Sequence, residues 1–542
     1  MANPFANEPG ETKEIRPNHA EADVVPLDFG SYLDDFSGRI LRAYTAGRGS
    51  SELPADIGLA RSLVPPGSAA LRDFSYVAPE IPELIEGACV GCMDCVTVCP
   101  DTAILAKVSE AAELDRALGD IGDANEREWT RRQWTKTQKF HDAPAKRGEA
   151  PGLFGLFVDP TKCKGCGECV TACGEHHALR MVRKQEETVP RYRRAFDFFR
   201  HLLPTPPHFI RDKVLVDMML AFDKSLLYVG GAGSCAGCGE ATAIRMMLAA
   251  TGFLCGKSNI GVVAATGCNS VFGSTYPYNP FLVPWTNSLF ENAPAVAMGI
   301  RLRWDQLGWR EKRLWVIGGD GAFYDIGFQS LSRLLTSALD VKVLVLDTQV
   351  YSNTGGQTST ASFTAQSSRM SPAGTTQSGK REARKELALI ALMHPEVFVA
   401  QTTCAHPNHF YRAILAANSY PGPAVVNVYT TCQPEHGVAD DQSVAEAKRA
   451  VEARAFPIFV YDPRLGPRLR DRLSLQGNPT PESDWARDPK SGAPFTFVDF
   501  ARGEGRFARS FDAAGTPSEA LRSSEAERLA NWHRLQELAG MR

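Results

Sequence analysis

Eight cysteines, arranged as two copies of one spacing, constrain this 542-residue chain more than any other feature. In each copy, three cysteines follow one another at two-residue gaps, and a fourth comes four residues after the third. The copies comprise Cys89, Cys92, Cys95 and Cys99, and then Cys163, Cys166, Cys169 and Cys173. Four such closely spaced thiolates suit the iron corners of a cubic cluster better than the single tetrahedral ion of a zinc site. The pattern therefore predicts two 4Fe–4S clusters, with zinc binding as the alternative.

This spacing is that of bacterial ferredoxins, in which the fourth cysteine of each run ligates the other cluster. One cluster is therefore expected on Cys89, Cys92, Cys95 and Cys173, and the other on Cys163, Cys166, Cys169 and Cys99. We expect each fourth cysteine to open a helix that directs it to the other cluster. Gly91, Gly165 and Gly167 would let the loops bend so that amide N–H groups face the cluster sulfurs. Gly174 replaces the usual proline, which predicts an altered turn and unchanged ligation.

The remaining composition narrows the class of protein. Fourteen cysteines in a long chain without an apolar N-terminal segment argue for metal ligation in a reducing compartment, since disulfide scaffolds are usually short and secreted. The 59 basic and 62 acidic residues give a formal charge of −3, without the basic excess of a nucleic-acid-binding protein. The longest apolar stretches, such as 218–222 and 260–266, fall far below the roughly 18 residues of a membrane span. We predict a cytoplasmic protein with no nucleic-acid partner and no membrane span.

From about residue 225, short apolar runs alternate with glycine turns and helical patterns. The segments 260–266, 314–317, 341–346 and 424–429 are predicted as buried strands, and 323–337 as a helix. Strands and helices that alternate, with glycine-rich turns at the strand ends, are typical of a doubly wound α/β sheet.

A third set of cysteines lies within this α/β region. Cys235 and Cys238 form a Cys-x-x-Cys pair, which taken alone could be redox-active, zinc-binding or structural. Cys268 and Cys432 each follow a predicted strand. Because strand ends gather at one edge of a doubly wound sheet, these four cysteines could converge on one further cluster.

Two polar segments follow neighbouring predicted strands. Asp320 lies between two glycines where a strand gives way to a helix, and helix N-termini suit a diphosphate while a carboxylate suits Mg²⁺. Such a Gly-Asp-Gly is usually an ordinary turn. Here, however, Thr348 follows 28 residues later, after one predicted helix and one predicted strand, which return the chain to the same sheet edge. The pair is the fingerprint of a thiamine diphosphate site.

On these residues, the chain resembles the C-terminal half of pyruvate:ferredoxin oxidoreductases, in the 2-oxoacid:ferredoxin oxidoreductase family. The resemblance covers about residues 80–510, and the closest segments are 230–242, 265–272, 285–291, 319–327, 345–358, 420–432 and 460–464. The single-chain pyruvate enzymes resemble it better than the 2-oxoglutarate branch does. The implied fold class is α/β, with a doubly wound thiamine diphosphate-binding domain and an inserted or preceding two-cluster ferredoxin-like α+β domain.

The resemblance also implies a domain organisation. Residues 1–80 would be an N-terminal extension for subunit contacts, and 81–185 a ferredoxin-like domain with two 4Fe–4S clusters. That domain would carry a charged insert at 106–150, read as a solvated helical excursion, with a docking surface as the alternative. Residues 186–455 would bind thiamine diphosphate and a nearby cluster, and 456–542 would be a C-terminal extension.

Site residues carry over from the family motif by motif. Mg²⁺ would be ligated by the side chains of Asp320 and Thr348 and by the carbonyl oxygen of Val350. Glu240 and Asn353 would contact thiamine as catalytic residues. The cofactor-binding set is Glu240, Gly267, Asp320, Gly321, Thr348, Val350 and Asn353. The cluster nearest the thiamine would be held by Cys235, Cys238, Cys268 and Cys432.

The implied activity is the coenzyme A-dependent oxidative decarboxylation of a 2-oxoacid, with pyruvate as the first candidate. Electrons would pass through three 4Fe–4S clusters to ferredoxin or flavodoxin, and the reaction would be reversible to CO₂ fixation. The alternatives are a 2-oxoglutarate or aryl-pyruvate enzyme, an electron-relay subunit without thiamine chemistry, and a non-oxidative thiamine enzyme. Since about 80 residues precede the ferredoxin-like region, we expect a second subunit with the pyrimidine-binding, substrate and coenzyme A domains, in a dimer of heterodimers.

Overall fold

A computed structural model shows where the cysteine runs and the polar strand ends lie. It describes residues 29–54, 63–211, 214–374, 376–488 and 491–542. The chain divides into two units, Met1–Pro65 and Pro66–Arg542. In the first unit, a π-helical turn at Phe36–Leu41 connects the helices Phe29–Asp35 and Arg42–Thr45, and the short helix Gly49–Glu52 follows.

Two small antiparallel sheets carry the two cysteine runs. The strands of this region are β1 Glu80–Leu84, β2 Ile104–Glu110, β3 Trp134–Thr135, β4 Gly152–Val158 and β5 Leu179–Arg183. β1 pairs with β5, and the other sheet has the order β2-β4-β3. β2 overlaps the start of the charged insert at 106–150, and β3 lies within it. The insert is therefore not wholly a helical excursion. Its helices, Ala111–Gly119 and Ala124–Arg131, connect these two strands.

A short helix contains the third cysteine of each run and ends at or directly before the fourth. Cys95 lies in the helix Asp94–Val98, and Cys99 follows its last residue. In the second run, the helix Glu168–Cys173 contains Cys169 and ends at Cys173. The prediction that the fourth cysteine opens a helix was therefore wrong. The physical reason is that a four-residue spacing is about one helical turn, which the chain completes before it reaches the fourth cysteine.

An eight-stranded mixed sheet organises the rest of the large unit. Its strands are β6 Ile260–Ala265, β7 Trp285–Ser288, β8 Arg313–Gly319, β9 Val341–Asp347, β10 Phe398–Thr403, β11 Ala424–Tyr429, β12 Phe459–Tyr461 and β13 Leu473–Ser474. They lie in the order β13-β12-β10-β11-β9-β8-β6-β7. The six strands from β10 to β7 are parallel, and β12 and β13 add an antiparallel edge. A small hairpin of β14 Ala486–Arg487 and β15 Pro494–Phe495 follows.

Helices cover both faces of this sheet, which explains why central strands such as β6 and β9 are buried along their whole length. Alternate residues of β8 show the two faces, because Leu314 and Val316 pack into one core while Trp315 and Ile317 pack into the other. The Trp315 face also packs against the cysteine-rich region, since Cys95 and Cys169 belong to the same hydrophobic core. The predicted doubly wound α/β fold is therefore confirmed.

The longer helices of the large unit are Thr188–His201, Gly239–Cys255, Ala293–Gln306, Phe328–Leu335, Pro407–Ser419, Ser443–Glu452 and Glu519–Leu538. Shorter helices span Ala143–Lys146, Phe222–Ser225, Cys268–Gly273, Leu387–Leu392, Gln433–His436, Leu469–Arg472 and Phe497–Ala501. The helix predicted at 323–337 is interrupted, with a π-helical turn at Gly321–Ile326 before the helix Phe328–Leu335. Within the described residues, no helix is both long and apolar enough to cross a membrane.

Candidate functional site

One cavity lies at the point of the sheet where the order of the strands reverses. β7 lies on one side of β6 and β8 on the other, and such a reversal opens a crevice at the carboxyl ends of the strands. The residues that follow β6, β7, β8 and β9 line a cavity of about 610 Å³ there. We call it the Asp320 cavity, and it includes all seven residues of the predicted cofactor-binding set: Glu240, Gly267, Asp320, Gly321, Thr348, Val350 and Asn353.

Three oxygen atoms predicted to ligate Mg²⁺ lie next to one another in this cavity. The hydroxyl of Thr348 is 3.3 Å from Asp320 Oδ1 and 3.0 Å from the carbonyl oxygen of Val350. Ser352 donates a hydrogen bond to Thr348 Oγ1 at 2.8 Å, and Ser359 donates to the second oxygen of Asp320. A carboxylate, a hydroxyl and a carbonyl are the hard ligands that Mg²⁺ prefers, so the donor set fits this ion beside a diphosphate.

Glu240 is the second buried carboxyl group of the cavity. It lies in the first turn of the helix Gly239–Cys255, and its Oε2 has no hydrogen-bond partner among the described residues. Burial, together with repulsion from Asp320, raises the pKa of Glu240 to about 8. Burial and the nearby Asp347 also raise the pKa of Asp320. An unpartnered buried oxygen is costly, so Glu240 suits a ligand that accepts or donates a hydrogen bond there.

The other predicted residues shape the cavity wall. At Gly321, a side-chain Cβ would come within 2.8 Å of the ring of Tyr351, so only glycine fits this close approach. Gly267 directly precedes the helix Cys268–Gly273. Asn353 lies at the exposed side, where it lines this cavity and the next one.

The third cysteine set surrounds an adjacent cavity. Cys235, Cys238, Cys268 and Cys432 line this Cys432 cavity. It shares Glu240, Cys268, Thr348, Ser352 and Asn353 with the Asp320 cavity, so the two cavities have a common wall. Burial raises the pKa of the Cys432 thiol to about 12. A bound iron would therefore be needed to hold this sulfur as a thiolate at neutral pH.

Two smaller cavities take their cysteines from both runs. Cys99, Cys163, Cys166 and Cys169 line one of them, the Cys99 cavity, and Cys89, Cys92, Cys95 and Cys173 line the other, the Cys173 cavity. Each of these cavities takes three cysteines from one run and the fourth from the other. The structure thus brings the cysteines together in the crossed sets that the spacing predicts.

These cavities favour clusters over single ions. Within the described residues, no three His, Cys, Asp or Glu side chains converge closely enough to hold one metal ion. Each cysteine quartet instead surrounds a space. Gly91, Gly165 and Gly167 have φ values of +71°, +68° and +84°, the left-handed conformations that the bent loops require. The arrangement fits the cubic cluster that the spacing predicts.

Short contacts connect the Cys99 cavity to the Cys432 cavity. Lys164, between Cys163 and Cys166, donates from its Nζ to the carbonyl oxygen of Ser234 at 2.6 Å. Glu168 accepts hydrogen bonds at 2.9 Å from the amides of Ser443 and Val444. Because Ser234 directly precedes Cys235, the loops of the two cavities are held against each other.

Sequence reasoning missed several residues that support the site. The Nε2–H of His436 donates to the carbonyl oxygen of Thr348 at 2.8 Å, while its backbone N–H bonds to Cys432. His436 therefore connects the oxygen cluster to the Cys432 loop. Its position four residues after Cys432 was a usable sequence signal. Ser359 offered none, because it reaches Asp320 from 39 residues away.

Two family models match the chain at these places. "Thiamine pyrophosphate enzyme, C-terminal TPP binding domain" matches residues 265–428, and "4Fe-4S binding domain" matches residues 156–175. The fold and the cavities thus define a protein that combines a thiamine diphosphate-binding domain with an iron–sulfur-binding region.

Curated proteins of similar sequence carry the same resemblance. The chain is 28% identical to the "Probable pyruvate-flavodoxin oxidoreductase" of Escherichia coli K12, over 88% of this chain and 44% of the relative. It is 28% identical to the "Pyruvate:ferredoxin oxidoreductase" of Moorella thermoacetica, over 84% of this chain and 42% of the relative. These relatives support the resemblance to the 2-oxoacid:ferredoxin oxidoreductase family that the sequence motifs predicted. It spans less than half the length of these curated relatives.

A solved 2-oxoglutarate:ferredoxin oxidoreductase from Magnetococcus marinus also matches, at 22% identity and a TM-score of 0.33. That match covers 38% of this chain and 65% of the solved chain. The support for the family resemblance therefore comes from the sequence relatives and the two family models.

Proposed function

We propose that this chain carries the thiamine and iron–sulfur chemistry of a cytoplasmic 2-oxoacid:ferredoxin oxidoreductase, with pyruvate as the first substrate candidate. The observation that carries the proposal is the common wall of the Asp320 and Cys432 cavities. It would place an iron–sulfur cluster next to bound thiamine diphosphate, as an oxidative thiamine enzyme requires and a non-oxidative one does not.

Thiamine diphosphate, when bound, supplies the electron sink for decarboxylation of the 2-oxoacid. The residues of this chain hold and orient it. Asp320, Thr348 and the Val350 carbonyl, whose oxygens lie next to one another, would hold Mg²⁺ for its diphosphate. Glu240, with its pKa near 8, carries a proton at neutral pH and can donate a hydrogen bond to the cofactor. Asn353 lies where the cofactor and the reacting substrate would face the cluster.

Contacts between the cavities support an electron path. The Cys432 cavity adjoins the thiamine site, and Lys164 connects its loop to the Cys99 cavity. The Cys99 and Cys173 cavities share the helix Asp94–Val98, which positions Cys95 in one and Cys99 in the other. Cys89 and Cys92 are partly exposed, and Val90 between them is 43% exposed. Electrons would pass from the Cys432 cluster through the Cys99 cluster to the Cys173 cluster, and then to ferredoxin or flavodoxin.

A second polypeptide would complete the active site. Ile326, in the wall of the Asp320 cavity, and Leu289, next to it at the end of β7, are each 61% exposed. Apolar side chains at the rim of a cofactor cavity are typical of a covered surface. We propose that this partner binds the aminopyrimidine ring, the 2-oxoacid and coenzyme A, in a dimer of heterodimers. The same assembly would fix CO₂ when supplied with strong reductant.

Anaerobic purification with any bound partner tests the proposal. Iron, sulfide and thiamine diphosphate are measured per chain, and reduction of ferredoxin or flavodoxin is measured with a panel of 2-oxoacids. Three clusters predict about 12 iron atoms, together with one thiamine diphosphate and activity that depends on coenzyme A. About 8 iron atoms without thiamine would contradict the proposal and favour an electron-relay subunit. Full thiamine content with activity in iron-free protein would favour a non-oxidative enzyme.

A further inference from the structure

A buried arginine lies between the cysteine-rich region and the thiamine-binding domain. Arg245 is in the second turn of the helix Gly239–Cys255 and is 2% exposed. Its Nη1 donates hydrogen bonds to the carbonyl oxygens of Cys99 at 2.8 Å and Thr97 at 3.3 Å, and to that of Val96. One turn earlier, the hydroxyl of Thr242 lies 3.3 Å from the carbonyl oxygen of Val98 and 3.2 Å from that of Cys238, and it can donate to either. One helix thus caps the C-terminus of the helix that carries Cys95 and leads to Cys99.

These hydrogen bonds do not neutralise the guanidinium charge. Arginine stays protonated in proteins, and Nε and Nη2 of Arg245 have no hydrogen-bond partner among the described residues. The ionisable groups that act on it are Cys99, Tyr411, Asp101 and Cys95. Asp101 is already paired with Lys164 at 2.7 Å. Burial raises the pKa of Tyr411, so its phenol is neutral. The sulfurs of Cys99 and Cys95 are the remaining source of negative charge.

A buried cation without an opposite charge is strongly destabilising, so this position calls for an anionic neighbour. Four thiolates around an iron–sulfur cube supply one, and reduction by one electron adds a further negative charge. We propose that Arg245 is the buried counter-charge of the iron–sulfur relay, which raises the reduction potential of the cluster in the Cys99 cavity. This inference rests on the proposed function, because it requires the clusters to be present.

The effect on the three clusters would be unequal. Arg245 contacts Cys99 itself through its carbonyl oxygen, whereas next to Cys95 it contacts only the following residue, Val96. The cluster in the Cys99 cavity would therefore be stabilised most in its reduced state. A higher potential there would favour the first electron transfer, from the cluster in the Cys432 cavity, and would hold the electron in the Cys99 cavity. Arg245 is a positioning residue, since it acts through the cluster ligands and not on substrate.

The test is a redox titration of the full, iron-loaded chain, followed by electron paramagnetic resonance, in four variants. Arg245→Met removes the charge and the donors, and Arg245→Gln removes the charge but keeps an N–H donor. Arg245→Lys keeps the charge, and Thr242→Val removes the neighbouring hydrogen bond without changing any charge. A Cys99→Ser variant identifies the signal of the Cys99 cavity.

We expect Met and Gln at position 245 to shift the potential of this cluster downward, more than that of either other cluster. Lys at 245 and Val at 242 should leave it near the wild-type value. If the Met variant fails to load iron, the same comparison is read from iron content, and Gln should lose iron while Lys retains it. The inference is overturned if Gln behaves as wild type or if Lys behaves as Met, since hydrogen bonding alone would then explain Arg245. If the wild-type chain does not load these sites, the proposed function fails instead.

Discussion

The cysteine-rich region and the sheet edge build their sites in opposite ways. In the cysteine-rich region, most ligands of each cavity come from one run, such as Cys163, Cys166 and Cys169, and only the fourth comes from the other run. At the sheet edge, no two elements that follow one another in the sequence supply all the residues of the site. The Asp320 cavity takes Glu240 from a helix start, Asp320 from the end of β8 and Thr348 from the end of β9.

This difference shows which residues of each site depend on long-range folding for their position. A loop of closely spaced cysteines can approach three corners of a cube before the rest of the chain is in place. The oxygen cluster at Asp320 exists only once β8 and β9 are paired in register, because its members are separated by a whole helix and strand. The two kinds of site should therefore respond differently to mutation.

The largest expected effect concerns the crossing of the two cysteine runs. Cys99→Ser should remove a cluster from the cavity shared with Cys163, Cys166 and Cys169, a loss of about four iron atoms. The cluster that uses the rest of its own run should remain. Iron analysis and electron paramagnetic resonance of the purified chain measure this.

Cys173→Ser is the matched control, with the converse pattern. If Cys99→Ser and Cys89→Ser removed the same cluster, each run would form a site by itself. The crossed arrangement of the cavities would then be contradicted.

These sites also show how much of the structure could be predicted from the sequence. The repeated spacing predicted the cysteine sets that the structure brings together, because spacing of this kind is a local property. The strands β6, β8, β9 and β11 were predicted to within about two residues, since buried parallel strands form continuous apolar runs. Ser359 and Arg245 could not be predicted, because their contacts depend on how distant segments pack. The π-helical turn after Asp320 was also missed, since a helical pattern does not distinguish it from an α-helix.

The second prediction tests whether the sheet-edge site is independent of the cysteine-rich region. Asp320→Ala removes the carboxylate of the oxygen cluster, so thiamine diphosphate and Mg²⁺ should bind about 100-fold more weakly. The two cavities of the cysteine-rich region should keep their iron, because none of their cysteines contacts Asp320.

Calorimetric titration with thiamine diphosphate and Mg²⁺ measures the affinity, and iron analysis measures the clusters. Asp340→Asn is the control, since this carboxylate pairs with Lys342 near the start of β9 and away from the cavity. Loss of iron from all sites in Asp320→Ala would show that the regions fold as one cooperative unit.

The third prediction uses the buried carboxyl group of Glu240. Its pKa is about 8 in the folded chain, above the ordinary value of 4.5. A raised pKa in the folded state gives stability below pH 4.5 that is lost as the pH rises through 8. Without thiamine, Glu240→Gln should therefore gain about 1–3 kcal/mol of stability relative to wild type between pH 6 and pH 9.

Denaturant unfolding of the thiamine-free chain at both pH values measures this change. Asp320 remains in both proteins, so the difference between them reports Glu240 together with its repulsion from Asp320. An equal pH dependence of the two proteins would mean that Glu240 is ionised at neutral pH and cannot donate a proton to the cofactor.

The smallest effect is expected for the substitution of Ser352. This variant tests whether Ser352 is itself a ligand at the sheet edge or only supports one. Its hydroxyl donates to Thr348 Oγ1 at 2.8 Å, and it lines both the Asp320 and Cys432 cavities. Ser352→Ala should weaken Mg²⁺ binding by about tenfold or less, because Thr348 keeps its own contacts with Asp320 and Val350. Thr348→Val, measured by the same titration, should cost more because it removes a ligand. If Ser352→Ala cost as much as Thr348→Val, Ser352 would itself be a ligand, and the oxygen cluster would have four members.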